Sequence, residues 1–205
     1  MASNSNPAKT RIAVLCSGNG SNAAQIFQHF RGHPSIQVGL LLYNRKQAYA
    51  ANRASEVGIP TRYVSSASFA ENADEVVAIL KEQSIDYLLL AGFLQLLPEA
   101  VCTAFAGKML NIHPALLPAF GGVGMHGIHV HEAVKKSGHT QTGITIHEVN
   151  ARYDEGRIIF QARCPVLPSD SVSDIATRVL ALEHAHYSFV AEHFILSTRQ
   201  QTTQR

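Results

Sequence analysis

The chain has 205 residues, of which 46% are hydrophobic and 16% charged, with a formal net charge of +2. This length and balance fit one globular domain that buries its own core, and they exclude disordered, fibrous and disulfide-stapled classes. No apolar run reaches the ~18 residues of a membrane span and no Lys/Arg run is interleaved with aromatics, so neither a membrane nor a nucleic acid is expected as a partner.

In chain order, residues 11–16 form a short apolar β-type run. Ser17-Gly18-Asn19-Gly20 follows as a turn, and residues 21–31 are compatible with a helix. Residues 36–42 read as a buried strand, 47–57 as a helix stopping at Gly58, and 60–64 as a third strand. An amphipathic helix is expected over 69–83, a strongly apolar strand over 86–90, a short helix over 99–106 behind Pro98, and a strand over 108–112. Residues 113–127 are rich in Pro and Gly and open into a helix over 128–137 with Gly138 as its C-cap. Strands over 142–149 and 157–166 flank a connection at 150–156 and suit an antiparallel hairpin. A long helix over 171–196 begins with Ser171 and Asp174 in capping-box spacing.

Strands alternating with helices are the signature of βαβ units, whose crossovers force a largely parallel sheet. The fold class is therefore α/β and Rossmann-like: a mostly parallel central sheet, helices on both faces and an antiparallel edge hairpin. Residues 1–10 are expected as a disordered N-terminal extension, 11–197 as a single domain and 198–205 as a polar tail. The polar N-terminus has no apolar core of a secretory type, and a cytoplasmic protein is expected.

In such a sheet ligands bind beyond the C-terminal strand ends. The turn after the first strand, with Gly18, Gly20 and Ser21, lets backbone N–H groups at a helix start approach a phosphate. It lacks the third glycine of a dinucleotide fingerprint, since Ala23 stands there, which weakens a nicotinamide-cofactor reading. Asn111-Ile112-His113-Pro114 leaves a strand end, so an amide and an imidazole spaced by two face one crevice. An amide supplies a donor to an oxyanion, and an imidazole with an ordinary pKa of about 6.5 moves protons near neutrality. The 150–156 connection carries Asp154 and Glu155, either of which offers a carboxylate to orient His113; spacing does not separate them. Cys16, Cys102 and Cys164 are an odd set without a Cys-x-x-Cys pair, and the close histidine pairs 129/131 and 184/186 lack i, i+4 spacing, so no metal is expected.

Ser17-Gly18-Asn19-Gly20-Ser21-Asn22, Leu90-Ala91-Gly92-Phe93, the segment from Asn111 through His113 and Pro114 to Leu116-Leu117-Pro118, and Tyr153-Asp154-Glu155-Gly156 together resemble the phosphoribosylglycinamide formyltransferase family, over about residues 11–194. The resemblance implies a formyltransferase domain. It implies transfer of the formyl group of the co-substrate 10-formyltetrahydrofolate to glycinamide ribonucleotide, a step of de novo purine (IMP) biosynthesis. It assigns Gly20, Ser21 and Asn22 to the nucleotide's phosphate and Glu183 to its ribose. Leu94, Gln95, Leu96 and Leu97, with Asn111, Asn150, Ala151, Arg152, Tyr153 and Asp154, fall to the folate, and Asn111, His113 and Asp154 to catalysis without a metal. The chain departs from the family at Gln95 and Ala119, where Arg and Lys are frequent, in a longer glycine-rich stretch at 120–127, and in Glu155 within the usual Asp-Gly-Gly. The rival readings are a methionyl-tRNA formyltransferase, a formyltetrahydrofolate hydrolase and a non-catalytic nucleotide-sensing domain; the first two carry an additional domain, and the third lacks the trio. A homodimer is neither required nor excluded by the sequence.

Overall fold

The structure is a computed structural model and describes residues 8–203. Seven strands form one sheet in the order β3-β2-β1-β4-β5-β6-β7. They are β1 (Thr10–Cys16), β2 (Ile36–Tyr43), β3 (Thr61–Tyr63), β4 (Tyr87–Leu90), β5 (Met109–His113), β6 (Gln141–Glu148) and β7 (Ile158–Pro165). The first five pair in parallel, and β6 runs antiparallel to both β5 and β7. The expected hairpin is present, and β6 joins it to the parallel sheet through Asn111↔His147 and His113↔Thr145.

Residues along β1 alternate between two hydrophobic clusters. Ile12, Val14 and Cys16 enter one with helices α1 (Ser21–His29) and α7 (Val172–Thr203), whereas Ala13 and Leu15 enter the other with α3 (Ser66–Glu71), α4 (Ala73–Glu82) and α5 (Glu99–Ala104). Both faces of the strand are thus covered, which is why its sequence is continuously apolar and not alternating. The helices α2 (Ala50–Glu56) and α6 (Ile128–Ser137) lie on the α1/α7 face.

Three expectations are corrected. The single helix over 69–83 is two, because Asn72 leaves helical geometry at φ −125, ψ 51 and Ser65 starts α3 earlier, its hydroxyl accepting from the Ser68 N–H at 3.0 Å. The tail expected from 198 instead continues α7 to Thr203, where the Tyr87 hydroxyl meets Thr198 Oγ1 at 2.8 Å. At the other end Thr10 already belongs to β1, while residues 1–7 of the expected extension lie outside the described residues. The capping box of α7 forms as expected: Ser171 Oγ accepts from the Asp174 N–H and Asp174 Oδ2 from the Ser171 N–H.

The parallel order reverses between β1 and β4, so the loops after these strands diverge and leave a crevice at their C-terminal ends. Tyr187 of α7 braces its floor, its buried hydroxyl donating toward the carbonyls of Leu90 and Leu110 at 2.8 and 3.0 Å.

Candidate active site

A cleft of ≈ 530 Å³ opens at this switch point. Its floor comes from the ends of β4 and β5, and its walls from segments 92–97, 122–131 and 147–154 and from the first half of α7. Asn111 and His113 sit at the end of β5, both on the cleft, while Ile112 between them turns its side chain into the core.

Asp154 comes from the connection between β6 and β7. The connection is closed by Gly156, where a Cβ would overlap the Glu148 carbonyl, so only glycine lets the chain turn back over β6. Asp154 itself takes φ 55, a left-handed conformation that Asp tolerates better than most side chains. The turn aims its carboxylate at two rings: Oδ2 is 3.6 Å from His113 Nδ1 and Oδ1 is 3.5 Å from His147 Nε2. Oδ2 also accepts the Gly122 N–H at 2.9 Å. Spacing alone left Asp154 and Glu155 equivalent, and the fold separates them: Glu155 points outward to an exposed pairing with Arg152.

His147 is a site residue that the sequence reading missed. It is 2% exposed and faces the cleft from β6 opposite Asn111. Its Nδ1 lies 2.8 Å from the Glu148 carbonyl, which only accepts, so the ring proton sits on Nδ1. Nε2 is then an acceptor, and it takes the Asn111 Nδ2–H at 3.0 Å. Both contacts require the same tautomer, which in turn sets the Asn111 amide with its nitrogen toward His147. The only sequence signal was the position of His147 in an alternating strand of the edge hairpin, where a histidine has many ordinary uses.

His113 donates from Nε2 to the Phe120 carbonyl at 2.8 Å, which leaves Nδ1 facing Asp154. Burial pushes the His113 pKa below 6.5; the Asp154 charge and the Phe120 carbonyl offset this in part, and His147 lowers it further. Burial raises Asp154, but the adjacent His147 and His113 rings and the Gly122 N–H together hold the carboxyl below its ordinary value. The site is therefore a neutral imidazole beside a carboxylate, with the vacant ring nitrogen toward the charge. A proton arriving at that nitrogen produces a stabilised ion pair.

The other end of the cleft is built by α1 and α7. Gly20 is the α1 N-cap at φ 75, and a Cβ there would lie 2.6 Å from the Ala50 Cβ. The turn is held from outside by α2: Ala50 N–H donates to the Gly18 carbonyl at 3.2 Å, and Arg53 donates to the Asn19 carbonyl and side chain at 2.9 and 2.7 Å. With the carbonyls tied outward and no side chain capping α1, its first N–H groups remain for a ligand. Asn22 Nδ2 donates to Glu183 Oε2 at 2.7 Å, which joins α1 to α7. Burial pushes the Glu183 carboxyl up to about 7 against the opposing Asn22 hydrogen bond.

Of the expected folate segments, Leu94, Gln95, Leu96, Leu97, Asn150, Arg152 and Tyr153 line the cleft; Ala151 does not. Asn22 and Glu183 line it as well, whereas Gly20 and Ser21 do not. The Gln95 side chain is already engaged, accepting from Asn44 Nδ2 at 3.0 Å and donating to the Ser66 carbonyl at 2.8 Å. It acts as a strut for its segment. Tyr153 ties the two segments together, its hydroxyl accepting the Leu96 N–H at 3.1 Å. Among the described residues no group of three or more His, Cys, Asp or Glu is placed to hold a metal ion, and no helix is long and apolar enough to cross a membrane.

Fold and site together define an α/β domain with a glycine turn at a helix start and an Asn/His/Asp cluster on one cleft. The chain belongs to the formyl transferase family, whose profile matches residues 10–191. It is 42% identical over 186 residues to the chloroplastic phosphoribosylglycinamide formyltransferase of Arabidopsis thaliana, covering 88% of this chain and 64% of that protein. It is 35% identical to phosphoribosylglycinamide formyltransferase of Escherichia coli (strain K12), covering 89% of this chain and 86% of the relative. The crystal structure of glycinamide ribonucleotide transformylase 1 from Symbiobacterium toebii superposes with a TM-score of 0.82 at 34% identity, over 89% and 86% of the two chains. The chain spans less than two thirds of the length of the plant relatives.

Proposed function

We propose that this protein transfers the formyl group of 10-formyltetrahydrofolate to the amine of N1-(5-phospho-D-ribosyl)glycinamide, giving formylglycinamide ribonucleotide and tetrahydrofolate in de novo purine (IMP) biosynthesis. The observation that carries the reading is the convergence of Asn111, His113 and Asp154 on one cleft that is also lined by Asn22 of α1, Glu183 of α7 and segments 94–97 and 152–154. The likeness to relatives named for this reaction supports it.

In this reading the N–H groups of Ser21 and Asn22 and the turn at Gly20 take the phosphate, and Glu183 accepts hydrogen bonds from the ribose hydroxyls. The pterin lies between 94–97 and 150–154, held mainly by backbone groups, since the Gln95 side chain is occupied within the protein. The amine attacks the formyl carbon, and the carbonyl oxygen becomes an oxyanion. Asn111 offers it the N–H that His147 does not use. The proton lost by the amine passes to His113 Nδ1, where Asp154 stabilises the imidazolium, and then to N10 of the folate as the carbon–nitrogen bond breaks. Atoms balance without a covalent enzyme intermediate.

The test is tetrahydrofolate release from 10-formyltetrahydrofolate with and without glycinamide ribonucleotide. Release that depends on the amine is the expected result. Equal release in its absence indicates a hydrolase, and none in either case a binding domain.

A further inference from the structure

The proposed chemistry leaves two imidazoles of the cleft unused, His126 and His131, and of these only His131 is buried. His131 lies on α6, whose Val130, His131 and Val134 face inward, and it is 7% exposed. Its neighbours on α6 differ from it: His129 is exposed and pairs with Glu132. His131 lines the cleft together with Gly127 and Ile128 and with Val179, Leu180 and Glu183 of α7.

The two ring nitrogens of His131 are not equivalent. Nδ1 is sealed from solvent and has no hydrogen-bond partner, whereas Nε2 is not sealed and makes no hydrogen bond within the protein. Nε2 is therefore open to the cleft. A sealed N–H without an acceptor costs more than a sealed lone pair, because orphaned buried donors are the rarer and dearer case. The proton accordingly sits on Nε2. Burial and the charge of His113 both push the His131 pKa below 6.5. The ring is a neutral donor aimed into the cleft.

We infer that His131 Nε2–H binds the carbonyl oxygen of the substrate's glycinamide group and so orients the neighbouring amine toward the formyl carbon. The inference rests on the proposed function. A neutral donor suits an uncharged amide oxygen: its pKa is depressed where a phosphate would demand a cation, and Asn111 already serves the formyl oxygen. The lining supports the assignment, since His131 shares one cleft with Asn22, Glu183 and His113 and lies near enough to His113 to feel its charge.

The experiment measures binding of glycinamide ribonucleotide and of ribose 5-phosphate by calorimetry in wild type, His131→Phe and His131→Gln. Phe keeps the ring volume without a donor, and the Gln amide nitrogen reaches the Nε2 position. Loss of one such hydrogen bond is expected to weaken glycinamide ribonucleotide about 10-fold in His131→Phe, within the range for a net buried hydrogen bond. Ribose 5-phosphate should bind as in wild type, and His131→Gln should recover most of the loss. Equal weakening of both ligands, or none of either, overturns the inference. If His131→Phe does not fold, His131→Asn replaces it, because its amide stops short of Nε2; affinity equal to that of His131→Gln would overturn the inference in that case. Failure of wild type to bind glycinamide ribonucleotide while binding ribose 5-phosphate would instead overturn the proposed function on which it stands.

Discussion

Nδ1 of His113 faces Oδ2 of Asp154 at 3.6 Å, a separation too long for a hydrogen bond and short enough to become one when the ring gains a proton. The neutral ring is the resting form, because burial holds its pKa below 6.5. Activity that needs the neutral ring is therefore retained as pH falls to 6.5 and declines below that value. In Asp154→Asn the charge that raises the His113 pKa is removed, so the acid limb of kcat/KM should move to lower pH while kcat falls. Asn also tolerates the left-handed backbone at this position, which isolates the charge effect. A limb that moves upward or stays in place would refute the pairing. His113→Ala should lower turnover by roughly 10²–10⁴-fold with nucleotide binding retained, as read by steady-state kinetics and calorimetry.

The Asn111 amide depends on His147, whose Nε2 accepts one of its N–H groups at 3.0 Å. His147→Phe keeps the ring but removes the acceptor, which frees the amide to rotate. We expect kcat to fall about 10-fold with little change in either KM, on the scale of one misplaced hydrogen bond. A change confined to KM would assign His147 to substrate binding instead.

Glu183 yields a pH prediction with the opposite sign to that of an exposed acid. Its pKa is raised from 4.5 to about 7, so the folded protein holds the proton more tightly than the unfolded chain. The associated stability is complete below about pH 4.5 and is lost as pH rises through about 7. Glu183→Gln mimics the protonated state. It should melt several degrees higher than wild type at pH 8, show little difference at pH 4.5, and bind nucleotide more weakly. Equal melting shifts at both pH values would contradict the burial argument.

Gly20 combines φ 75 with a Cβ position 2.6 Å from the Ala50 Cβ. Gly20→Ala should destabilise by about 1–3 kcal/mol, the usual range for strain of this kind, and should weaken phosphate binding further by moving the turn. Thermal melts and ribose 5-phosphate titration separate the two effects. Arg53→Met should leave the fold largely intact and weaken the same ligand, because it releases the Asn19 carbonyl from the outer edge of the turn.

Much of the fold was legible in the chain. The strand–turn–helix rhythm, the parallel sheet, the hairpin and the α7 capping box follow from periodicity and local hydrogen bonding, which depend on neighbours a few positions apart. The break at Asn72 was not legible, because the apolar spacing of Phe69, Val76 and Leu80 suits one helix as well as two. Nor was the extension of α7, whose polar end makes a distant contact with Tyr87.

The chain by itself determined that Asn111 and His113 leave a strand end together and that a carboxylate follows in a later connection. Only the tertiary structure decided that the carboxylate is Asp154 and not Glu155, that His147 sets the Asn111 amide, and that the Gln95 side chain is a strut. The physical reason is that a side chain's direction across a short turn depends on backbone geometry. That geometry is imposed by close approach to distant segments, such as Gly156 against the Glu148 carbonyl. A ring's tautomer likewise depends on which acceptor the fold places beside it.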